Sequence, residues 1–141
     1  MRMIEFTYYG EIRGKGRPRF RKIGNFVSTY TPTETRDYEM SIKESFLVEC
    51  ADSERFYNGE QLAMELQIYQ AIPKSVSKKK AQEMLEDKVK PTKKPDIDNI
   101  LKSVCDALNK VAYTDDTQIV EMKIQKHYAE NSYMVVKLWK I

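Results

Sequence analysis

Hydrophobic and polar positions change period several times along the chain, and each change marks an element. Residues 3 to 12 mix β-branched and aromatic side chains in partial alternation, which predicts a strand ending near Gly10. Phe26 to Thr31 reads as a second short strand, and Pro32, Thr33 and Glu34 then open a helix to about Cys50. In that helix Tyr38, Ile42, Phe46 and Cys50 recur by four, with Leu47 widening a stripe suited to a core. Gln61 to Ile72 alternates through Leu62, Met64, Leu66 and Ile68, which predicts a strand with one buried face, ended by Pro73. Ser77 is placed to cap a short lysine-rich helix from Lys78 to about Glu86.

The clearest helix begins at Asp96. Ile97, Ile100, Leu101, Val104, Leu108 and Val111 recur at steps of three and four and make one apolar stripe. Gln118 to His127 and Ser132 to Ile141 alternate as two strands joined by Ala129-Glu130-Asn131, which reads as a hairpin. The order β, β, α, β, α, α, β, β over 141 residues, with no repeat or composition break, predicts one domain, residues 1–141. Its class is α/β or α+β, a mixed sheet packed by helices, because a terminal hairpin does not fit a doubly wound parallel sheet.

A composition of 41% hydrophobic and 32% charged residues belongs to a soluble globular chain. Cys50 and Cys105 lack the spacing of a zinc site or a redox pair, and Cys105 falls among apolar helix positions as a buried reduced thiol would. No signal peptide opens the chain and no run approaches the length of a membrane span, so a cytoplasmic protein with no membrane partner is expected.

The 24 Lys and Arg exceed the 21 Asp and Glu only slightly, but the distribution is uneven. Arg13, Lys15, Arg17, Arg19, Arg21 and Lys22 follow one another with no acid between them. Gly14, Gly16 and Pro18 argue against a helix there, so the segment is expected to be a loop or ribbon presenting cations, with Arg17, Arg19 and Arg21 on one face if extended. A second basic segment, Lys74 to Lys94, includes Lys78, Lys79, Lys80, Lys93 and Lys94. Either patch alone is explained by a solvated surface; together they favour a polyanionic partner, and all of these residues except Lys22 and Lys74 are taken as DNA contacts.

Against this basic background Asp96, Asp98, Asp115 and Asp116 fall within twenty-one residues. On a helical wheel Asp98 and Lys102 lie side by side on the flank of the apolar stripe, and Asp96 sits at the helix entry. Each has a structural explanation: an N-cap for Asp96, a dipole partner for Asp98, an ion pair with Asp98 for Lys102, and turn chemistry for Asp115 and Asp116. Asp106 points away and is expected to be a solvated acid. The functional alternative is a hard-ion site, in which Asp96, Asp98 and one of Asp115 or Asp116 hold Mg²⁺ while Lys102 neutralises charge on a phosphate. The glycines at 14 and 16 lack the phosphate-loop pattern, so no nucleotide cofactor is expected, and His127 has no catalytic signature around it and reads as a surface histidine.

Lys94-Pro95-Asp96-Ile97-Asp98-Asn99-Ile100-Leu101-Lys102, then Asp106-Ala107-Leu108, then Tyr113-Thr114-Asp115-Asp116-Thr117-Gln118-Ile119-Val120 resembles the RusA family of Holliday junction resolvases. Lys15-Gly16-Arg17-Pro18-Arg19 and Tyr30-Thr31-Pro32 resemble a segment common in phage-borne and prophage-borne members. The resemblance implies a small homodimeric endonuclease of recombination and repair that makes paired, symmetric nicks in four-way DNA junctions with Mg²⁺ or Mn²⁺. It also implies that the metal-binding acids are Asp96, Asp98 and Asp116, that Lys102 is the functional lysine, and that Asp115 is a neighbour. The competing readings are a DNA-binding or replication-accessory module without catalysis, whose binding needs no divalent ion, and a less selective nuclease of branched DNA.

Overall fold

The computed structural model describes residues 3–16, 19–30, 32–51 and 55–141. A four-stranded mixed sheet carries the fold, with strands β1 (Met3–Tyr9), β4 (Leu62–Ala71), β5 (Ile119–Ala129) and β6 (Tyr133–Lys140) in the order β1-β6-β4-β5. A separate hairpin pairs β2 (Arg19–Ile23) with β3 (Phe26–Tyr30). The helices are α1 (Thr33–Glu49), α2 (Lys78–Leu85) and α3 (Ile97–Leu108). The mixed α+β class expected from the chain is the class observed, and the basic stretch expected to be a loop or ribbon is a ribbon from Arg19 onward.

Alternation sets which face is buried. Ile4, Phe6 and Tyr8 of β1, Met64, Leu66 and Ile68 of β4, and Met134, Val136 and Leu138 of β6 point into one core with Tyr38, Ile42 and Phe46 of α1 and Ile100, Val104 and Leu108 of α3. The Phe6 and Phe46 rings meet edge to face at 5.6 Å, and Tyr8 and Tyr38 at 5.5 Å, a geometry aromatic quadrupoles favour. On the opposite face His127, Tyr69, Tyr133 and Tyr9 form a cross-strand row over all four strands, with Tyr69 stacked on Tyr133 at 4.3 Å.

The terminal strands are not a hairpin. β4 lies between β5 and β6, parallel to β5 and antiparallel to β6. The link from Ala129 to Tyr133 arches over the end of β4, where Ile72 N–H donates to Ala129 O at 2.9 Å and Ala71 N–H donates to Ser132 Oγ at 3.0 Å. Two strand spacings come to about 10 Å, which a few extended residues span, so a short turn does not require its strands to be neighbours. α3 also stops earlier than its stripe suggests. Lys110 adopts φ 63, and the N–H groups of Val111 and Ala112 both return to Leu108 O.

Candidate active site

Three segments converge at the start of α3. Lys126, on an inward-facing position of β5, donates from Nζ to the carbonyls of Lys93 at 2.9 Å and Pro95 at 3.0 Å, which fixes the approach to the helix from the sheet. Burial holds the Lys126 ammonium below its usual value, and Asp96 opposes that effect. Asp96 occupies the N-cap position with extended backbone, φ −76 and ψ 157, but its carboxylate does not cap the helix amides. Asn99 Nδ2 instead donates to Asp96 Oδ1 at 3.1 Å. Its own backbone N–H and the Asn99 amide hold the Asp96 carboxyl below the ordinary range, with smaller contributions from Asp98 and Lys94.

Asp98 and Lys102, one turn apart on α3, line a cleft of about 410 Å³ together with Asp116, from the 3-10 turn that precedes β5. Leu101 and Cys105 form an apolar side of this cleft. A neighbouring cleft, lined by Thr92, Lys93, Lys94, Asp96, Ile97, Asp98 and Lys126, shares Asp98 with the first. Asp98, Lys102 and Asp116 therefore come together, and Asp96 lies beyond Asp98 on the adjoining surface. Asp98 and Lys102 are exposed and make no ion pair with each other among the described residues.

Glu121, which no sequence motif singled out, lines the same cleft from β5. The one signal for it in the sequence is an acid five residues past Asp116 on a predicted strand; in the structure the β4–β5 pairing slips next to it, between Leu62 and Ala63. Among the described residues no three acids are gathered into a ready-made cage. The donor set still suits Mg²⁺, which takes one or two carboxylates and completes its shell with water and substrate phosphate.

Asp116 is positioned by Gln118, a buried polar residue. Its Oε1 accepts from the N–H groups of Thr114 at 2.9 Å and Asp115 at 3.1 Å, while its Nε2 donates to Tyr57 O at 2.6 Å and Glu60 O at 3.1 Å. One amide thus ties the acidic turn to the loop before β4. Asp115 accepts from Thr117 Oγ1 at 2.6 Å. Cys105 is a buried free thiol pushed up to about 11 by burial, and Tyr113 Oη donates to the Cys105 carbonyl at 2.9 Å.

The basic residues divide by setting. Lys93 and Lys94 border the second cleft. Arg13, Arg19 and Arg21 are exposed, the latter two on the ribbon, whereas Arg17 lies outside the described residues. Lys78, Lys79 and Lys80 are exposed on the first turn of α2, where Ser77 Oγ accepts from Lys80 N–H at 3.2 Å, and they border neither cleft. The Lys15 ammonium pairs with Glu39 of α1 and, at 3.0 Å, with Asp106 of α3. Burial lowers its pKa, but the hydrogen bonds to these two carboxylates outweigh burial and leave it raised. Lys15 thus joins two helices, and Asp106 is an ion-pair partner rather than the solvated acid expected.

His127 is not a surface histidine: its side chain is only 13% exposed. It stacks on Tyr69, Nε2 donates to Gln67 Oε1 at 2.7 Å, and Nδ1 lies 3.0 Å from Asp87 Oδ1. The residue fastens the loop after α2 to the sheet.

The family model for endodeoxyribonuclease RusA matches residues 10–138. An uncharacterized protein of Bacillus subtilis (strain 168), YqaN, is 34% identical over 143 residues, covering 100% of this chain and 99% of that protein.

Proposed function

The chain belongs to the endodeoxyribonuclease RusA family, and from that membership we propose that it is a Mg²⁺-dependent endonuclease that resolves four-way DNA junctions by paired, symmetric nicks in recombination and repair. The observation that carries this reading is the meeting of Asp98, Lys102 and Asp116 in one cleft, with Asp96 on the adjoining surface among Lys93, Lys94 and Lys126. Acids that served only as caps and turns would not need to converge with cations from two other segments.

Asp96, Asp98 and Asp116 would hold the ion, with Mn²⁺ able to substitute. The ion held there would supply Lewis-acid polarisation of the scissile phosphate and a water of lowered pKa. Lys102 supplies a fixed positive charge where negative charge develops on the phosphate. Lys93 and Lys94 hold flanking phosphates, a sequence-independent term that weakens with salt. Lys126 keeps the 93–95 segment against the sheet and so sets where Asp96 sits. A homodimer places two identical sites on a two-fold symmetric junction, as paired nicking requires.

The test is incubation of synthetic four-way junctions, forks and linear duplexes with the protein, in Mg²⁺ and in EDTA. Junction-selective nicking that EDTA abolishes is expected. Binding without cleavage at any divalent-ion concentration would refute the enzyme and leave a DNA-binding module. Equal cleavage of forks would replace junction resolution by a broader branched-DNA activity.

A further inference from the structure

All ten residues of β2 and β3 are exposed, among them Phe20, Ile23, Phe26 and Val27 at 74%, 59%, 78% and 66%. The extensive packing of these strands is with each other. A lone two-stranded hairpin is marginal in water, and apolar side chains displayed together mark a contact surface. Charge selects what covers it. Residues 19–30 contain Arg19, Arg21 and Lys22 and no acid, so the occupant is a polyanion.

The shape is equally specific. Ile23 and Phe26 face each other across the Gly24-Asn25 turn, and Gly24 at φ 60 has nothing within 4 Å of where a Cβ would lie, so the tip is open. Strand alternation puts Arg19, Arg21 and Tyr30 on the same face as this apolar pair, with the Arg21 guanidinium 4.9 Å above the Tyr30 ring. The hairpin is rooted beside the proposed site: Lys15 N–H donates to the carbonyl of Asn99, the residue that holds Asp96, at 3.2 Å. A Cβ on Gly16 would run into Thr35 in the first turn of α1 and approach Pro32, so both feet of the hairpin stand together there.

We propose that the β2–β3 hairpin is a wedge that inserts Ile23 and Phe26 between base pairs at a DNA branch point, while Arg19, Arg21 and Lys22 grip the flanking phosphates. Apolar side chains inserted at a base step unstack it, and a branch point offers steps that are already poorly stacked. The wedge discriminates branched from linear DNA before any bond is cut. It rests on the nuclease reading only for the identity of the polyanion.

The test uses the full chain in EDTA, with a four-way junction carrying aminopurine at its centre and a linear duplex of equal length carrying it mid-strand. The wild-type protein should raise aminopurine fluorescence in the junction and not in the duplex. Ile23→Ser/Phe26→Ser should lose that rise and about tenfold of junction affinity, as expected for removing base stacking, with duplex affinity kept. Arg19→Ala/Arg21→Ala should weaken both. No fluorescence rise with the wild-type protein would overturn the proposal, whatever the variants do. So would an unchanged junction-to-duplex ratio in the tip variant, or its conversion from dimer to monomer in sedimentation, which would give the tip to a second copy. Cleavage in Mg²⁺ is scored separately: nicking without the fluorescence signal defeats only the wedge, and the signal without nicking defeats only the nuclease.

Discussion

Gln118 is the residue on which the acidic turn hangs, and its replacement gives a prediction that needs no substrate. Its side chain is engaged in four hydrogen bonds, two accepted from Thr114 and Asp115 N–H and two donated to Tyr57 and Glu60 O. The residue is 8% exposed, so water replaces these partners poorly. At about 1 kcal/mol net per bond, discounted because the partners are only partly buried, Gln118→Met should cost about 2–4 kcal/mol. Gln118→Glu separates the two halves. It keeps an acceptor for the Thr114 and Asp115 amides but sets a carboxylate against two carbonyls. The expectation is a comparable loss of stability with the Asp116 turn retained. Urea denaturation gives the first quantity, and amide exchange at Thr114 and Asp115 the second. Exchange should accelerate in the Met variant and stay near wild type in the Glu variant. A Met variant within about 0.5 kcal/mol of the parent, the scatter of ordinary surface changes, would mean that these four bonds do not hold the turn.

Lys126→Met removes two charge-assisted bonds to the Lys93 and Pro95 carbonyls; a stability loss of about 1–2 kcal/mol, faster exchange over residues 93–96 and weaker Mg²⁺ binding by calorimetry are expected, and unchanged exchange would contradict its positioning role. Asp87 has its carboxyl held low by Lys90 first and then by His127, so its contribution is present above the ordinary value of 3.8 and fades as pH falls through the lower folded value. Asp87→Asn keeps the φ 63 backbone acceptable and should cost roughly 0.5 kcal/mol in urea unfolding at pH 7, with the gap closing under acid; a gap that persists at pH 2 would mean that the carboxylate stabilises the fold by something other than its charge. Lys93→Ala/Lys94→Ala should flatten the dependence of log affinity on log salt by roughly 1 for each phosphate no longer neutralised, for junction and duplex alike, and an unchanged slope would remove these lysines from the DNA path.

Periodic burial made much of the fold legible: Tyr38, Ile42, Phe46 and Cys50 of the α1 stripe, Ile100, Val104 and Leu108 of the α3 stripe and the Leu62, Met64, Leu66 and Ile68 face of β4 are all buried, whereas Leu47 and Ile97, assigned to the same stripes, are exposed at the margins where no element packs over them. Sheet order was not legible, because the short link after Ala129 looks the same whether it joins neighbouring strands or arches over β4. Within the candidate site, what was readable is what helix spacing dictates, the placement of Asp98 and Lys102 side by side on one flank of α3. It was not readable where the third dimension supplies a partner. Lys126 is some thirty residues from the carbonyls it holds, and its only sign was a lysine at an inward position of a strand. Lys15 looked like one more cation of a basic run until α1 and α3 enclosed it with Glu39 and Asp106.

Asp98 is shared by both clefts, so the proposed metal-dependent cleavage depends on it more than on any other acid of the site. The direct measurement is single-turnover cleavage of a four-way junction in Mg²⁺ by the wild-type protein and by Asp98→Asn at saturating protein, with nick positions mapped on all four strands. Paired nicks at symmetric positions are expected for the wild type, and junction binding without nicks for Asp98→Asn. Undiminished cleavage by Asp98→Asn would mean that Asp98 holds no catalytic metal, and no cleavage by a wild-type protein that binds the junction would mean that the protein is not a junction nuclease.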